Sequence, residues 1–280
     1  MRRKGEEGYV LVAAVASIAV FAAMALAMLS ATRAAIVTGT AEVDQARAAA
    51  AADAGIAIAL SGLLVDDPAG RWPIDASART VAFAGAQIAI KVEDERGKVP
   101  LNLMDEPMAE RLLAAFGIEG EQAKVMRDSL LDWLDADDEK RPYGAEAPFY
   151  APLGYRPRNG AFASVGELRR VRGFDRAIVA RMMPLLTVNF GRGNFEPSHA
   201  QPIAIEIMMG DEGTVEALDR RRELSGQRVA IDTTPAVNLV AHPLMISVVA
   251  TLPDGARAER HEIVELTGAA IRPYVVRSYD

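Results

Sequence analysis

The sequence has no cysteine and few histidine or aromatic residues. Its 280 residues include no thiol, which excludes disulfides, thiolate zinc sites, iron–sulfur clusters and cysteine nucleophiles. Three histidines, His199, His242 and His261, are scattered along the chain and leave little for a histidine-based metal or acid–base centre. Aromatic residues make up only 6% of the chain and its net charge is −7, so we do not expect nucleic acid as a partner.

Charge is also missing from one long stretch, Tyr9 to Leu29, whose one polar residue is Ser17. A helix of this length spans about 31 Å, the thickness of a bilayer core. Three basic residues at positions 2–4 precede it, so the positive-inside rule predicts that residues 1–8 are cytoplasmic and that the rest is exported. A cleaved secretory signal is the alternative, but its apolar region is normally about 7–15 residues long. We therefore predict a retained, single-pass anchor.

The helical pattern continues beyond this anchor. From Ala34 to Leu64 the chain is rich in alanine, lacks proline and carries few charges. One helix is therefore predicted from Tyr9 to about Leu64, with Gly39 and Gly55 as weak points. Half of it would lie in lipid, and half would form the spine of a soluble domain.

The start of the chain resembles the type IV prepilin-like proteins. In that family a specialised peptidase cuts after the glycine that ends a short basic leader, and the resemblance implies cleavage between Gly8 and Tyr9. Most members carry glutamate at the fifth mature position, where it pairs with the amino terminus of a neighbouring subunit. Here that position is Ala13. Because a carboxylate in lipid needs a paired charge, its absence indicates a tip or initiator subunit.

The rest of the chain changes period twice. Alternating residues predict one or two strands, helical spacing follows, and alternation returns near the end. The predicted fold class is α+β: a pilin-like long N-terminal helix packed on an antiparallel sheet, with a large all-helical domain inserted between the strands. The predicted strands and helices are 80–92, 112–116, 122–134, a helical hairpin from Ser164, 244–251, 258–266 and 273–278. The predicted divisions are leader 1–8, transmembrane segment 9–29, spine and first strands 30–96, insertion 97–228 and returning strands 229–280.

The helical hairpin resembles the helix–hairpin–helix modules that bind DNA, because its turn contains Gly173 and arginines surround it. Phosphate binding needs an excess of positive charge, whereas this chain is acidic and is predicted to be exported. We therefore expect a packing unit with no nucleic-acid partner. The arginines concerned are Arg169, Arg170, Arg172, Arg176 and Arg181.

Acidic residues cluster between Asp128 and Glu146, where seven carboxylates face only Lys140 and Arg141. Asp132 and Asp135 share a helix face near its C-terminus, where the helix dipole disfavours negative charge. Oxygen ligands from a helix end and the following loop suit Ca²⁺, although the spacing is not that of an EF-hand. A solvated acidic loop is the alternative, and the residues alone do not decide between the two.

A paired-carboxylate hydrolase is the enzymatic interpretation of this cluster. It would need one carboxyl of raised pKa and one of normal pKa, both facing a cleft. The sequence supplies no glycine-rich phosphate loop, nucleophile elbow or histidine metal site beside it. We do not expect an enzyme.

Several segments together resemble one branch of the prepilin-like proteins, the minor pseudopilin K (GspK) family of type II secretion systems. The missing glutamate at Ala13 also fits this branch. The matching segments are Asp94–Leu103, Asp132–Glu139, Gly144–Glu146, Tyr155–Asp175 and Arg272–Tyr279.

This resemblance implies a non-enzymatic subunit of the inner membrane with a periplasmic C-terminal domain. It implies assembly with minor pseudopilins I, J and H at a filament tip, initiating or capping growth, and contact with the prepilin peptidase, the inner-membrane assembly platform and lipid. It also implies structural calcium. The implied ligands are Asp132, Asp135, Asp137 and Glu146, with Asp138 and Glu139 in reserve.

Two other functions remain open from the sequence. The first is a minor pilin of a type IV pilus, acting in adhesion or DNA uptake. The second is a single-span periplasmic protein whose helical insertion binds a ligand or DNA.

Overall fold

The computed structural model describes residues 6–65, 67, 70–210 and 238–279. The chain divides into two compact units. The first comprises residues 1–55, 80–89 and 248–259, and the second comprises residues 56–79, 90–247 and 260–280. The predicted boundary at 228/229 lies outside the described residues, and the predicted domain limits stay predictions.

A single helix, α1, runs from Glu6 to Leu63. The uninterrupted helix predicted from Tyr9 to about Leu64 is therefore confirmed, and it passes through both glycines that were expected to weaken it. Large apolar side chains from Leu11 to Leu29 are exposed. Within the described residues, α1 is long and apolar enough to cross a membrane, and none of its most apolar window is buried in the protein.

Five strands form the main sheet in the order β1-β2-β5-β6-β7. The predicted alternating segments are all strands. The turn between β1 and β2 uses Ala84 and Gly85, which both have positive φ, and β6 pairs antiparallel with β7 from Glu262 opposite Tyr279 to Leu266 opposite Tyr274. The bounds are β1 Arg79–Phe83, β2 Ala86–Asp94, β5 Pro243–Thr251, β6 Arg257–Leu266 and β7 Tyr274–Tyr279.

Between β2 and residue 210 the described chain is mainly helical, as expected. It also contains a short parallel pair that the sequence did not predict, β3 Val99–Pro100 with β4 Leu186–Thr187. The helices are α2 Glu106–Ala115, α3 Gly120–Leu134, α4 Ala147–Tyr150, α5 Arg176–Met182 and α6 Pro202–Met209. The predicted α+β fold class is confirmed.

The first arm of the predicted helical hairpin is a 3₁₀ segment, Val165–Arg170, rather than an α-helix. Ser164 occupies the cap position, but its side chain makes no capping hydrogen bond. The Glu167 carboxylate instead accepts a hydrogen bond from the backbone N–H of Ala163 and pairs with Arg158. Ser164 and Glu167 have the spacing of a capping box, but the box is not formed because the Glu167 carboxylate is engaged elsewhere.

Aromatic packing fixes the core of the second unit around Trp133. Its ring meets the Tyr150 ring edge-on at 5.3 Å and stacks on Phe162 at 6.1 Å between centroids. The hairpin turn packs closely here, because a β-carbon at Gly173 would lie 2.5 Å from Met126 Cγ. The acidic segment between α3 and α4 is thus bounded on both sides by residues of this core.

In the first unit, α1 lies against the strands through small residues. Ala48 and Ala52 are fully buried. A β-carbon at Gly55 would lie 2.5 Å from Val248 Cγ1 and 2.8 Å from Ile88 Cγ2, so glycine permits this close approach. Gly39, in the same helix, has nothing within 4 Å of the equivalent point.

These two glycines form a matched pair for a stability test. Gly55→Ala should lower the free energy of unfolding by about 1–3 kcal/mol through overpacking. Gly39→Ala should raise it by up to about 1 kcal/mol through helix propensity. Urea titration of the full chain in mild detergent, followed by circular dichroism, measures both. A Gly55→Ala protein as stable as Gly39→Ala would contradict the packing described here.

Candidate functional sites

The predicted cleavage point lies at the very start of α1. Because the helix begins at Glu6, Gly8 and Tyr9 fall in its first turn. Ala13 is exposed, and its carbonyl accepts a hydrogen bond from Ser17 Oγ at 2.8 Å. The position of the usual pilin glutamate is thus an apolar residue on an exposed helix surface, while processing at Gly8 stays a prediction.

The predicted acidic cluster, Asp128 to Glu146, occupies α3 and the segment after it, residues 135–146, which we call the acidic loop. Asp128 and Asp132 lie four residues apart on one face of α3, and both are buried. Asp135 is the first residue beyond the helix, and Glu146 immediately precedes α4. The fold thus brings the two ends of the acidic loop to the C-terminus of α3.

Asp132 is fully buried, and the acidic loop packs directly on its carboxylate. The backbone N–H of Arg141 lies 3.3 Å from Asp132 Oδ1, and the Arg141 guanidinium lies 3.5 Å from the same oxygen. A β-carbon at Gly144 would overlap Asp132 Oδ2, so only glycine allows this contact. Asp128 differs, because its carboxylate is paired with Arg127 at 2.8 Å and accepts a hydrogen bond from Tyr143 N.

Glu146 is buried without comparable compensation. The backbone N–H of Ala147 lies near enough to lower its pKa, yet neither carboxylate oxygen accepts a hydrogen bond of normal geometry from the described residues. Asp135 Oδ1 is also buried and unpartnered within the described part of the chain, and its Oδ2 lies 3.7 Å from Arg141. Unsatisfied buried carboxylate oxygens are costly, so they indicate a missing positive partner.

The other acidic residues of the loop point to solvent. Asp137, Asp138 and Glu139 are all exposed. Asp137 Oδ1 accepts a hydrogen bond from Glu139 N, and Asp138 Oδ1 accepts one from Asn159 Nδ2. The predicted ligand Asp137 is thus exposed, whereas Asp132 and Glu146 are buried, although its charge is near enough to raise the pKa of Asp135. The solvated-loop interpretation describes the three exposed residues.

Burial, and secondarily the charge of neighbouring carboxylates, raises the pKa of three carboxyls in this cluster. Burial and the nearby charge of Asp135 raise the pKa of Asp132 to about 6, although hydrogen bonds from the loop backbone oppose the shift. Burial raises the pKa of Glu146 to about 7, and the charges of Asp132, Asp135 and Asp138 add to the effect. The pKa of Asp135 is raised by burial and by Asp137. Negative charge is thus concentrated here, and among the described residues Arg141 is the cation that lowers the pKa of Asp132 and Asp135.

The oxygen donors of Asp132, Asp135 and Glu146 are of the type that a hard divalent cation prefers. Three carboxylates with unsatisfied or mutually repelling oxygens are the ligands that Ca²⁺ prefers. Within the described residues, however, no three acidic or histidine side chains surround a common point closely enough to hold a metal. Coordination by Asp132, Asp135 and Glu146 would therefore require the acidic loop to close further.

One arginine of the hairpin, Arg172, holds this region. The Arg172 guanidinium donates hydrogen bonds to the carbonyls of Tyr143 and Gly144, and it lies 4.9 Å from the centroid of the Phe149 ring. Arg170 lies over the ring of Tyr155, and Arg181 lies over the ring of Phe116. These contacts are those of a packing unit that supports the acidic loop.

Sequence reasoning missed a second polar cluster. His199 and His242, treated as scattered, both meet the buried carboxylate of Asp94. They lie 105 and 148 residues from it in sequence. No spacing rule relates residues so far apart, and only the position of Asp94, two residues beyond the predicted strand 80–92, could have drawn attention to it.

Comparison with known proteins identifies the region that carries these features. Residues 92–190 match the family model described as type II secretion system (T2SS), protein K. We call residues 92–190 the protein K domain, after the family model that they match. The resemblance predicted from the sequence is thereby confirmed, and this domain contains α3, the acidic loop and the hairpin.

Curated relatives give the same result over part of their length. Type II secretion system protein K of Dickeya chrysanthemi is 37% identical over 78 residues, covering 28% of this chain and 22% of the relative. The protein K of Pectobacterium carotovorum is 28% identical over 125 residues, covering 42% of this chain and 38% of the relative. The protein K of Pseudomonas aeruginosa is 32% identical over 116 residues, covering 37% of this chain and 34% of the relative. The matched region therefore spans less than two fifths of each protein K.

A solved structure shares the fold over most of the chain. It is a chain of the crystal structure of the GspK-GspI-GspJ complex from the enterotoxigenic Escherichia coli type 2 secretion system. The TM-score is 0.60 at 15% identity, covering 84% of this chain and 95% of the other. At this identity the likeness shows the fold, which agrees with the α+β prediction.

Proposed function

We propose that this protein is a minor pseudopilin of a type II secretion system, acting without catalysis at the tip of the filament. One observation carries the proposal: the protein K domain lies in the same chain as a 58-residue helix that exposes large apolar side chains from Leu11 to Leu29. A helix of that kind serves both as a membrane anchor and as a filament spine. The fold likeness to a chain in a GspK-GspI-GspJ complex supports it.

The proposed topology follows from charge and length. Residues 1–8 lie in the cytoplasm, α1 crosses the inner membrane, and the remaining chain is periplasmic. The prepilin peptidase cuts between Gly8 and Tyr9, and the cut helix stays in lipid until the assembly platform extracts it. Nothing else in the described chain offers a comparable apolar span.

The proposed position at the tip depends on Ala13 and on the bulk of the protein K domain. Without a carboxylate at position 13, the subunit lacks the group that pairs with a neighbour's amino terminus. The domain inserted between β2 and β5 would block addition above it. The subunit would therefore start or cap a filament with pseudopilins I and J, and with H, that drives folded proteins across the outer membrane.

Contact with I and J is proposed to use the exposed part of α1 beyond the membrane. Val43 is 58% exposed there, although it lies on a helix built to pack. Burying such a side chain against a partner helix is favourable by about 1.5–3 kcal/mol.

Val43→Glu should therefore reduce co-purification of the full chain with pseudopilins I and J by about tenfold or more. The matched control is Leu153→Glu, which places the same charge at an equally exposed apolar side chain of the protein K domain. Affinity pull-down from detergent extracts measures both. Loss of I and J by Leu153→Glu but not by Val43→Glu would contradict the proposed contact.

We also propose that calcium binds at the acidic loop and acts structurally. Asp132, Asp135 and Glu146 are the residues that would hold it, and Asp137 would join them only if the loop rearranges. Bound calcium would supply the positive charge that the buried carboxylates lack. The protein K domain would then be more compact with the ion than without it.

Calcium at about one hundred times its Kd should raise the thermal midpoint of the full chain by about 5–10 °C. Glu146→Gln should remove this response. In chelator, Glu146→Gln should be at least as stable as the wild type, because it removes a buried, repelled charge. Differential scanning fluorimetry at pH 8 measures all three.

Glu121→Gln is the matched control, since it neutralises an exposed carboxylate at the other end of α3. It should keep the full calcium response. A wild-type midpoint that is the same in calcium and in chelator would remove the metal from the account, and the pseudopilin proposal would stand without it.

A further inference from the structure

Two of the chain's three histidines converge on one buried carboxylate oxygen. His199 Nδ1 lies 2.9 Å and His242 Nδ1 lies 2.7 Å from Asp94 Oδ2. The Asp94 side chain has no exposed surface, and its Oδ1 accepts a hydrogen bond from Arg96 N at 2.9 Å. Because an ionised carboxylate only accepts hydrogen bonds, both rings must donate from a protonated Nδ1.

The three residues mark special points of the chain. Asp94 is the last residue of β2, where the chain leaves the main sheet, and His242 immediately precedes β5, where it returns. His199 ends the short 3₁₀ turn that precedes α6. One carboxylate therefore joins the exit point, the return point and a third segment between them.

Backbone contacts reinforce the same junction. Arg96 Nη2 donates hydrogen bonds to the carbonyls of Arg192 and Ala241, the latter at 2.7 Å. The backbone N–H of Glu196 donates to the Arg96 carbonyl at 3.0 Å. A β-carbon at Gly97 would lie 2.5 Å from the carbonyl oxygen of His199, so the two backbones touch there.

The other charged groups nearby are paired among themselves. Lys98 Nζ lies 2.7 Å from the buried carboxylate of Glu95 and 3.9 Å from Glu93. The Thr187 hydroxyl also donates a hydrogen bond to Glu95. This leaves the two imidazoles and the backbone N–H of Arg96 as the groups that satisfy Asp94.

We propose that Asp94 is a positioning residue that clamps the base of the long excursion between β2 and β5 by holding His199 and His242 together. Because both rings share one oxygen, the segment around residue 199 and the start of β5 open and close as one unit. The clamp fixes where the protein K domain leaves the sheet and where the chain returns to it.

The test uses the geometry of the donor atom. Asparagine at position 242 places its amide nitrogen close to where the Nδ1 of histidine lies, whereas leucine has no donor. We therefore compare His242→Leu with His242→Asn in the full chain in detergent, by amide hydrogen exchange and mass spectrometry. His261→Leu is the control, because this third histidine lies outside the clamp, with its Nδ1 3.1 Å from Ser247 Oγ.

His242→Leu should speed exchange about tenfold or more both in residues 239–247 and in residues 194–209, and leave α3 unchanged. His242→Asn should restore protection in both segments to within about threefold of the wild type. An effect confined to residues 239–247 would overturn the proposal. If His242→Leu loosened the whole chain, His242→Asn would decide: wild-type protection supports the clamp, and exchange like that of the leucine variant overturns it.

A pH profile separates the clamp from simple packing. Burial alone would raise the pKa of Asp94, but hydrogen bonds from His199, from His242 and from the backbone of Arg96 outweigh it and lower the pKa to about 2. Ionised Asp94 therefore stabilises the folded protein fully above the ordinary carboxyl pKa of 3.8, and this stabilisation is lost as the pH falls towards 2. The extra protection of the wild type over Asp94→Asn should shrink between pH 5 and pH 3. A pH-independent ratio would contradict the role of the carboxylate.

Discussion

The structure depends on one helix that meets two different environments without a break. Near its start, α1 exposes large apolar side chains from Leu11 to Leu29, and because its backbone groups are hydrogen-bonded within the helix, such a segment is suited to lipid. Further along, in the first unit, alanines and Gly55 replace those large side chains and allow close contact with Ile88 and Val248. The change of residue size along a continuous helix is what makes an anchor and a spine compatible.

Buried charge is handled in different ways in the protein, and the contrast is informative. Asp94 and Glu95 are buried, but both carboxylates have polar partners. Two imidazoles contact Asp94, and Lys98 and Thr187 contact Glu95. Asp132 and Glu146 are buried but repel each other, and Glu146 lacks a well-formed hydrogen bond from the described residues. Buried charges that are fully hydrogen-bonded hold the fold together, whereas buried carboxylates that repel each other, or that lack a hydrogen bond as Glu146 does, suit a cation.

Much of the fold could be predicted from local patterns. The length and apolarity of the N-terminal stretch were sufficient to predict α1, and alternation of apolar and polar residues was sufficient to predict the strands. Both signals depend on residues that are neighbours in the sequence. The parallel pair of β3 with β4 could not be predicted, since each strand is two residues long. The division of the acidic loop into buried Asp132 and exposed Asp137 depends on how the loop folds back onto α3. The meeting of Asp94 with His242 depends on the whole chain between them.

The central claim is that α1 enters the filament uncut except at its front glycine. Mass spectrometry of the mature protein, isolated from cells with an intact secretion system, tests this most directly. The account predicts a chain that begins at Tyr9 and retains the whole apolar helix. A chain that still carries residues 1–8, or one that begins beyond Leu29, would contradict it.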